Sequence, residues 1–346
     1  MDSFGGWRWD PAMLWLKPLT TVATPMFVFM FGMMLDVAYQ RMAREDGMRV
    51  VVRRFLKRSC QCYGGYLLTA LAGFAGGYLT LREFGLAAVF LADSHHGNIL
   101  RLYTFALLLS PFVVWVRLRW GVWPLFVMLA GLWLVDGLIL KPFDGEDLGW
   151  ATHWAGVVFG TGSYQGGPSV WHGLTFVLAG VIAAAGLRGW RERGFRAFYV
   201  YVGLMLLIAL AVTANLYRFY GFWGLFKGYT VYFEFRADNH PGYYVIGLAG
   251  CLLVISLLSR VVPRDRLPGW KVYPLRFGQM ALTSFTLGNV LLNLVPASLI
   301  GGGLGVWAIP VGILYVGLIL VLVNLMHSLF FRRRKPVSGP PNKRAP

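Results

Sequence analysis

Acidic residues are scarce in this chain of 346 residues: 15 Asp and Glu stand against 32 Lys and Arg, for a formal charge of +17. Charge of either sign is thin, at 14% of residues, while hydrophobic residues make up 57%. That balance excludes an intrinsically disordered chain, which needs low hydrophobicity and high charge. Cysteine is almost absent. Cys60, Cys62 and Cys251 give no even disulfide framework, and none is spaced with histidine as a zinc set. The chain also lacks a phosphate-binding Walker loop, a G-x-S-x-G elbow and an H-E-x-x-H helix, and it has no evident internal repeat. Between its apolar runs there is no polar stretch long enough for a soluble domain.

What the chain does have is long uncharged runs, each long enough at helical rise to cross a ~30 Å hydrocarbon layer. The expected fold is all-α, a polytopic membrane helix bundle. Its nine spans fall at about 20–38, 63–81, 99–116, 121–140, 170–187, 197–216, 242–259, 277–295 and 306–330. Residues 1–19, with Trp7, Trp9 and Trp15, form an interfacial segment, residues 20–331 the bundle, and the Pro-rich basic tail 332–346 is expected to be disordered.

The stretch from Thr24 to Arg58 sets the direction. An apolar run ends there and Arg41, Arg44, Arg49, Arg53, Arg54, Lys57 and Arg58 follow, a retained cytoplasmic segment by the positive-inside rule. With nine alternating spans, 24 of the 32 Lys and Arg fall inside, which places the N-terminus outside and the C-terminus in the cytoplasm. The basic residues sit in short clusters between spans, so the bilayer and its anionic headgroups are the expected partner and nucleic acid is not. Small residues four apart, Gly73 with Gly77, Ala72 with Gly76 and Gly180 with Ala184, mark close helix packing. Pro111 and Pro310 are expected to kink their helices.

Polar residues at bilayer depth are costly, which makes each a candidate for function or for structural hydrogen bonding. Five of the six histidines, His95, His96, His153, His172 and His240, gather with several acids in or beside the outward segments, of which 141–169 and 217–241 are long and rich in Gly, Trp and Tyr. Arg101 opens the third span and Asp136 lies near the outer end of the fourth, so the two are expected to pair. His172, at matching depth, is a general-base candidate for a sugar or lipid hydroxyl. Thr286, Asn289 and Asn293 lie within about 60° of one another on the eighth span, a polar stripe that either lines a substrate path or ties helices together.

The segments TPMFVFMFGMMLDVAYQR, RRFLKR, HHGNILRLYTFALLLSP and RFGQMALTSFTLGNVLLNL resemble, in order and spacing, multi-pass proteins of the acyltransferase-3 superfamily. The likeness is nearest to YeiB-like proteins of the DUF418 type, and more distant to OpgC-type glucan succinyltransferases and heparan-glucosaminide acetyltransferase relatives. It implies transfer of an acyl group from a cytoplasmic acyl-CoA, a co-substrate rather than a bound cofactor, to a glycan or lipid hydroxyl at the outer face. Under it Arg53, Arg54 and Arg58 hold the donor's phosphates; Arg101, Asp136, Thr286, Asn289 and Asn293, polar at bilayer depth, are the substrate-binding candidates. The resembling proteins carry an Arg and a catalytic His on a helix that precedes the first one matched here, so the base falls to His172, His95 or His96. Two fixed points differ: their Asp reads Asn98 and one of their Asn reads Ser284. No metal is expected. A transporter or flippase for a small solute or lipid-linked sugar, or a non-catalytic subunit of a membrane complex, is the alternative.

Overall fold

The computed structural model describes residues 21–94, 96–164, 167–193, 197–230, 234–261, 280–295 and 308–331. The segments 1–19 and 332–346, and His95, lie outside this set. Within it the chain is helical, with no strand beyond a single bridge between Asp144 and Gly162. The helices are α1 (Ala23–Met34), α2 (Gln40–Glu45), α3 (Met48–Ala75), α4 (Leu81–Ala88), α5 (Asn98–Trp120), α6 (Trp123–Val135), α7 (Thr152–Val158), α8 (Val170–Arg193), α9 (Ala197–Thr230), α10 (Glu234–Ala237), α11 (Pro241–Val261), α12 (Ala281–Leu294) and α13 (Ala308–Phe331). Each expected span overlaps one of them. Among the described residues five helical stretches are long and apolar enough to cross a membrane: Asn98–Trp120, Trp123–Phe143, Val170–Gly189, Phe198–Thr230 and Pro241–Leu258.

Two boundaries differ from the sequence reading, for identifiable reasons. The basic segment after the first span is helical from Met48, because Val51, Phe55, Ser59, Cys62 and Tyr66 recur at helical spacing and bury one face while the arginines stay on the other. The expected outward loop 217–241 is helical through Thr230. Gly221, at φ 65° and ψ 177°, is not helical, so α9 is two helical segments that meet at a kink there. Pro310 falls in the first turn of α13, where the missing N–H has no intrahelical partner to lose, so it does not interrupt that helix. Pro111 sits inside a continuous α5.

The first helix passes into a π-helical turn, Leu35–Tyr39, before α2. Helices α1 and α8 pack as extensively as α3 and α5, and among the described residues no other pair matches these two contacts. Helices α1 and α8 meet where side chains vanish: a methyl on Gly32 would overlap the Val177 carbonyl, and one on Gly180 would overlap the Phe29 carbonyl. The expected close approach at Gly180 is therefore present, and its counterpart is Gly32. Antiparallel packing of α3 on α5 is fixed by Ser59 Oγ donating to the Thr104 carbonyl at 2.9 Å. Against the other face of α3 lies α12, with Thr286 on Gly65 and Asn293 Nδ2 donating to the Thr69 carbonyl at 3.3 Å.

Candidate functional site

At one end of the bundle, α1, α5 and α8 share a buried carboxylate. Asp36 is the second residue of the π-turn and is 1% exposed. Its Oδ1 accepts from Gln40 Nε2 at 2.7 Å and from Arg117 Nε at 3.1 Å, and Arg188 Nη2 bonds both its Oδ2 and, at 3.0 Å, its backbone carbonyl. We call this the basic end. A carboxylate inside an apolar run is tolerable only with such partners.

The opposite end holds His172. Ser169 caps α8: its Oγ accepts the His172 backbone N–H at 3.2 Å and lies 2.8 Å from His172 Nδ1. Asp136 Oδ1 lies 2.9 Å from His172 Nε2, off the ring N–H axis, a close contact rather than an aligned hydrogen bond. An ionised carboxylate only accepts, so it favours the tautomer with the proton on Nε2; Nδ1 is then an acceptor for the Ser169 hydroxyl. The rings of Trp133 and Tyr244 flank the imidazole at 5.2 and 5.6 Å. Asn239, held at φ 51° as its residue type tolerates, accepts from the Ser169 N–H at 2.9 Å and from Tyr244 Oη at 2.8 Å. Gly160, at φ 80°, packs so close that a methyl there would meet Asn239 Nδ2, His172 Nδ1 and Ser169 Oγ.

A second cluster lies at the start of α5. Arg101, 2% exposed, donates to Asp93 Oδ1 at 3.0 Å. Tyr164 faces this pair, with burial raising its hydroxyl pKa, and stacks on His153 at 3.8 Å, whose pKa burial lowers. The expected Arg101–Asp136 pair is thus replaced by Arg101–Asp93 and His172–Asp136. Equal depth does not choose a partner; the loop 89–97, turned by positive φ at Phe90 and His96, brings Asp93 back onto α5.

The remaining expected residues fall on α3 and α12. Arg53, Arg54 and Arg58 are exposed; Arg54 Nη1 lies 3.4 Å from Met42 Sδ and Arg58 Nη1 donates to Gln61 Oε1 at 3.2 Å. Arg58 and Thr286 open onto one groove of about 1200 Å³, lined mainly by apolar side chains such as Leu68, Leu71 and Leu287. Asn293 is fully buried as a helix tie, whereas the Asn289 Nδ2 is buried with no partner among the described residues. The stripe therefore divides into one groove-lining residue and one tie. His96 stays half-buried in the 94–97 turn, apart from His172 in sequence and hydrogen bonding.

The sequence reading missed Asp36, Ser169, Asn239, Tyr164 and Tyr244. Asp36 had a signal, being the one acid inside the first apolar run. Ser169 had one as well, three residues before the His172 already singled out, at the spacing of a helix cap. Asn239 and Tyr164 come from connecting segments and Tyr244 from the first turn of α11, and none of the three had one.

No cluster of three or more His, Cys, Asp or Glu able to hold a metal exists among the described residues. A family model described as OpgC protein matches residues 21–84, the part of the chain from α1 into α4, and this supports a likeness to OpgC-type membrane proteins. No curated protein and no solved structure matches the chain.

Proposed function

We propose that this protein is a membrane-embedded acyltransferase of OpgC type, moving an acyl group from an acyl-CoA thioester to a hydroxyl of a glycan or lipid. The observation that carries the reading is the buried His172 held between Asp136 and a serine hydroxyl, since an imidazole placed between a carboxylate and a hydroxyl is suited to move a hydroxyl proton. The OpgC match over residues 21–84 agrees with it and does not name donor or acceptor.

In this reading the donor approaches along α3. Ser59 is bonded level with Thr104, which puts Arg58 only about one helical turn in depth from Arg101. The exposed face of Arg53, Arg54 and Arg58 therefore climbs from the basic loop well into the bundle. Guanidinium groups at that depth suit a water-filled path carrying phosphates. The groove below Arg58 and Thr286 takes the donor's apolar portion, and Arg101 with Tyr164 receives the acceptor. The His172 end faces outward and the basic end faces the cytoplasm of the bacterial inner membrane, as the distribution of Lys and Arg indicates.

The test uses the full chain in nanodiscs with acetyl-CoA, succinyl-CoA or free CoA. A ligand at a hundred times its dissociation constant stabilises the folded state by about 2.7 kcal/mol, which a thermal melt registers. We expect saturable stabilisation that disappears in an Arg53→Gln, Arg54→Gln, Arg58→Gln triple variant. A folded protein that responds to no CoA species and acylates no glucan or lipid would refute the reading.

A further inference from the structure

Neither ring nitrogen of His172 is open to an incoming acceptor, because both are buried. Nε2 faces Asp136 at 2.9 Å and Nδ1 faces Ser169 Oγ at 2.8 Å, while His172 and Ser169 are 2% and 1% exposed. If His172 is a base, the hydroxyl it can deprotonate in this arrangement is that of Ser169. We propose that Ser169 is a nucleophile that carries the acyl group as an ester between donor and acceptor, an inference that rests on the acyltransferase reading and replaces direct transfer with two steps.

The surroundings fit that task. The Ser169 backbone is held by Asn239, itself bonded by Tyr244, and Oγ is held by the His172 backbone N–H at 3.2 Å. Asp136 lies on the far side of the ring, where it stabilises an imidazolium formed when Nδ1 takes the hydroxyl proton. Asp136 remains 23% exposed, so the cluster lies one side chain below a surface that a substrate can reach. The backbone N–H groups of Val170 and Trp171, the first two of α8, have no intrahelical acceptor and lie next to Ser169, where the tetrahedral oxyanion would form. These features make a Ser–His–Asp set in which Nδ1, rather than Nε2, serves the serine.

The chemistry balances without a further reagent. Ser169 Oγ attacks the thioester carbonyl as its proton passes to Nδ1; the C–S bond breaks and the thiolate takes that proton, leaving as free CoA thiol. In the second step the acceptor hydroxyl attacks the serine ester, its proton passes to Nδ1, and the C–O bond to Ser169 breaks as Oγ is reprotonated.

The experiment incubates the full-length protein with acetyl-, succinyl- or palmitoyl-CoA, without acceptor, quenches it in acid and locates ester-linked acyl groups by peptide mass spectrometry. Transfer to added glucan or lipid is measured in parallel for the wild type, Ser169→Ala, Ser169→Cys and His172→Ala. The expected result is hydroxylamine-sensitive acylation on Ser169 in the wild type and its replacement by a thioester in Ser169→Cys. Labelling disappears in Ser169→Ala and His172→Ala, and Ser169→Ala transfers at least a hundredfold more slowly while its melting curve stays cooperative. Transfer near the wild-type rate in Ser169→Ala, or acyl groups found only elsewhere, overturns the serine relay and leaves the acyltransferase reading standing. Absence of both label and transfer in a folded wild type overturns the two together.

Discussion

Replacing Asp36 by Asn keeps its shape and removes one negative charge from between two guanidinium groups. Arg117 is largely buried, with 16% of its side chain exposed, and Asp36 is fully buried. At about 4 Å between charge centres and an effective dielectric near 20, that pair is worth about 4 kcal/mol. Arg188 is 37% exposed, so solvent screening reduces its contribution to about 1 kcal/mol. An amide still accepts one hydrogen bond, which retains roughly 1–2 kcal/mol. The net expected loss is about 3 kcal/mol, in the range for breaking one side of a buried ion pair. In nanodiscs the melting temperature should fall by about 4 °C. Adding Arg117→Gln to Asp36→Asn should recover part of the loss, because it removes the guanidinium left unpaired, and the double-mutant cycle should return a coupling of about 2 kcal/mol. A melting temperature unchanged in Asp36→Asn, or losses in the two variants that simply add, would refute the clamp.

Gly32→Ala should loosen the α1–α8 contact and cost about 1–3 kcal/mol, because its methyl meets backbone rather than a movable side chain. Gly131→Ala, in α6 with open space around it, should instead gain about 0.5–1 kcal/mol, and equal melting shifts for the two would contradict the packing. Burial lowers the pKa of both His153 and His240 from the ordinary 6.5, so the unfolded chain takes up protons there before the folded one does. Stability should thus hold above about pH 6.5 and decline below it until the folded rings protonate; a double His153→Gln, His240→Gln variant should flatten that slope in melts between pH 8 and 5. Asp144 and Asp238, raised from 3.8 by burial, act in the opposite sense nearer to acid pH and leave the neutral window to the histidines.

The helices were legible because burial writes a period into the chain. Apolar runs located nine of them, and the spacing Val51, Phe55, Ser59, Cys62, Tyr66 would also have shown that α3 begins within the basic segment, had that stretch been read for periodicity as well as for charge. His172, Arg101 and Asp136 stood out because charge inside an apolar run demands an explanation. Their partners did not. Arg101 takes Asp93, eight residues upstream, and His172 takes Asp136, in choices made by loop paths that residue spacing does not encode. Asn239 and Tyr164 are further cases: each comes from a connecting segment and acquires a role only when α8 and α5 have been placed. The partner of Asp36 was open to the same reasoning, since an acid at the end of the first span should seek the arginines ending α5 and α8.

Helix α8 joins these observations physically. His172 and Arg188 lie sixteen residues apart on one rod, about 24 Å of helix, so the charge clamp at the basic end and the serine–histidine pair at the other are positioned by the same element. That rod is pinned to α1 by the backbone contact at Gly32 and Gly180, and α1 lies wholly within the OpgC-matched segment 21–84. The matched segment therefore contributes neither Ser169 nor His172, yet it supplies Asp36 and the Gly32 side of the seam against which α8 stands. Movement of α8 along α1 would break the Arg188 bonds at one end and displace Ser169 from Asn239 at the other. The Asp36 clamp and the geometry of the serine are for this reason mechanically coupled, and weakening the first should slow acylation at the second without any change to a residue that touches the substrate.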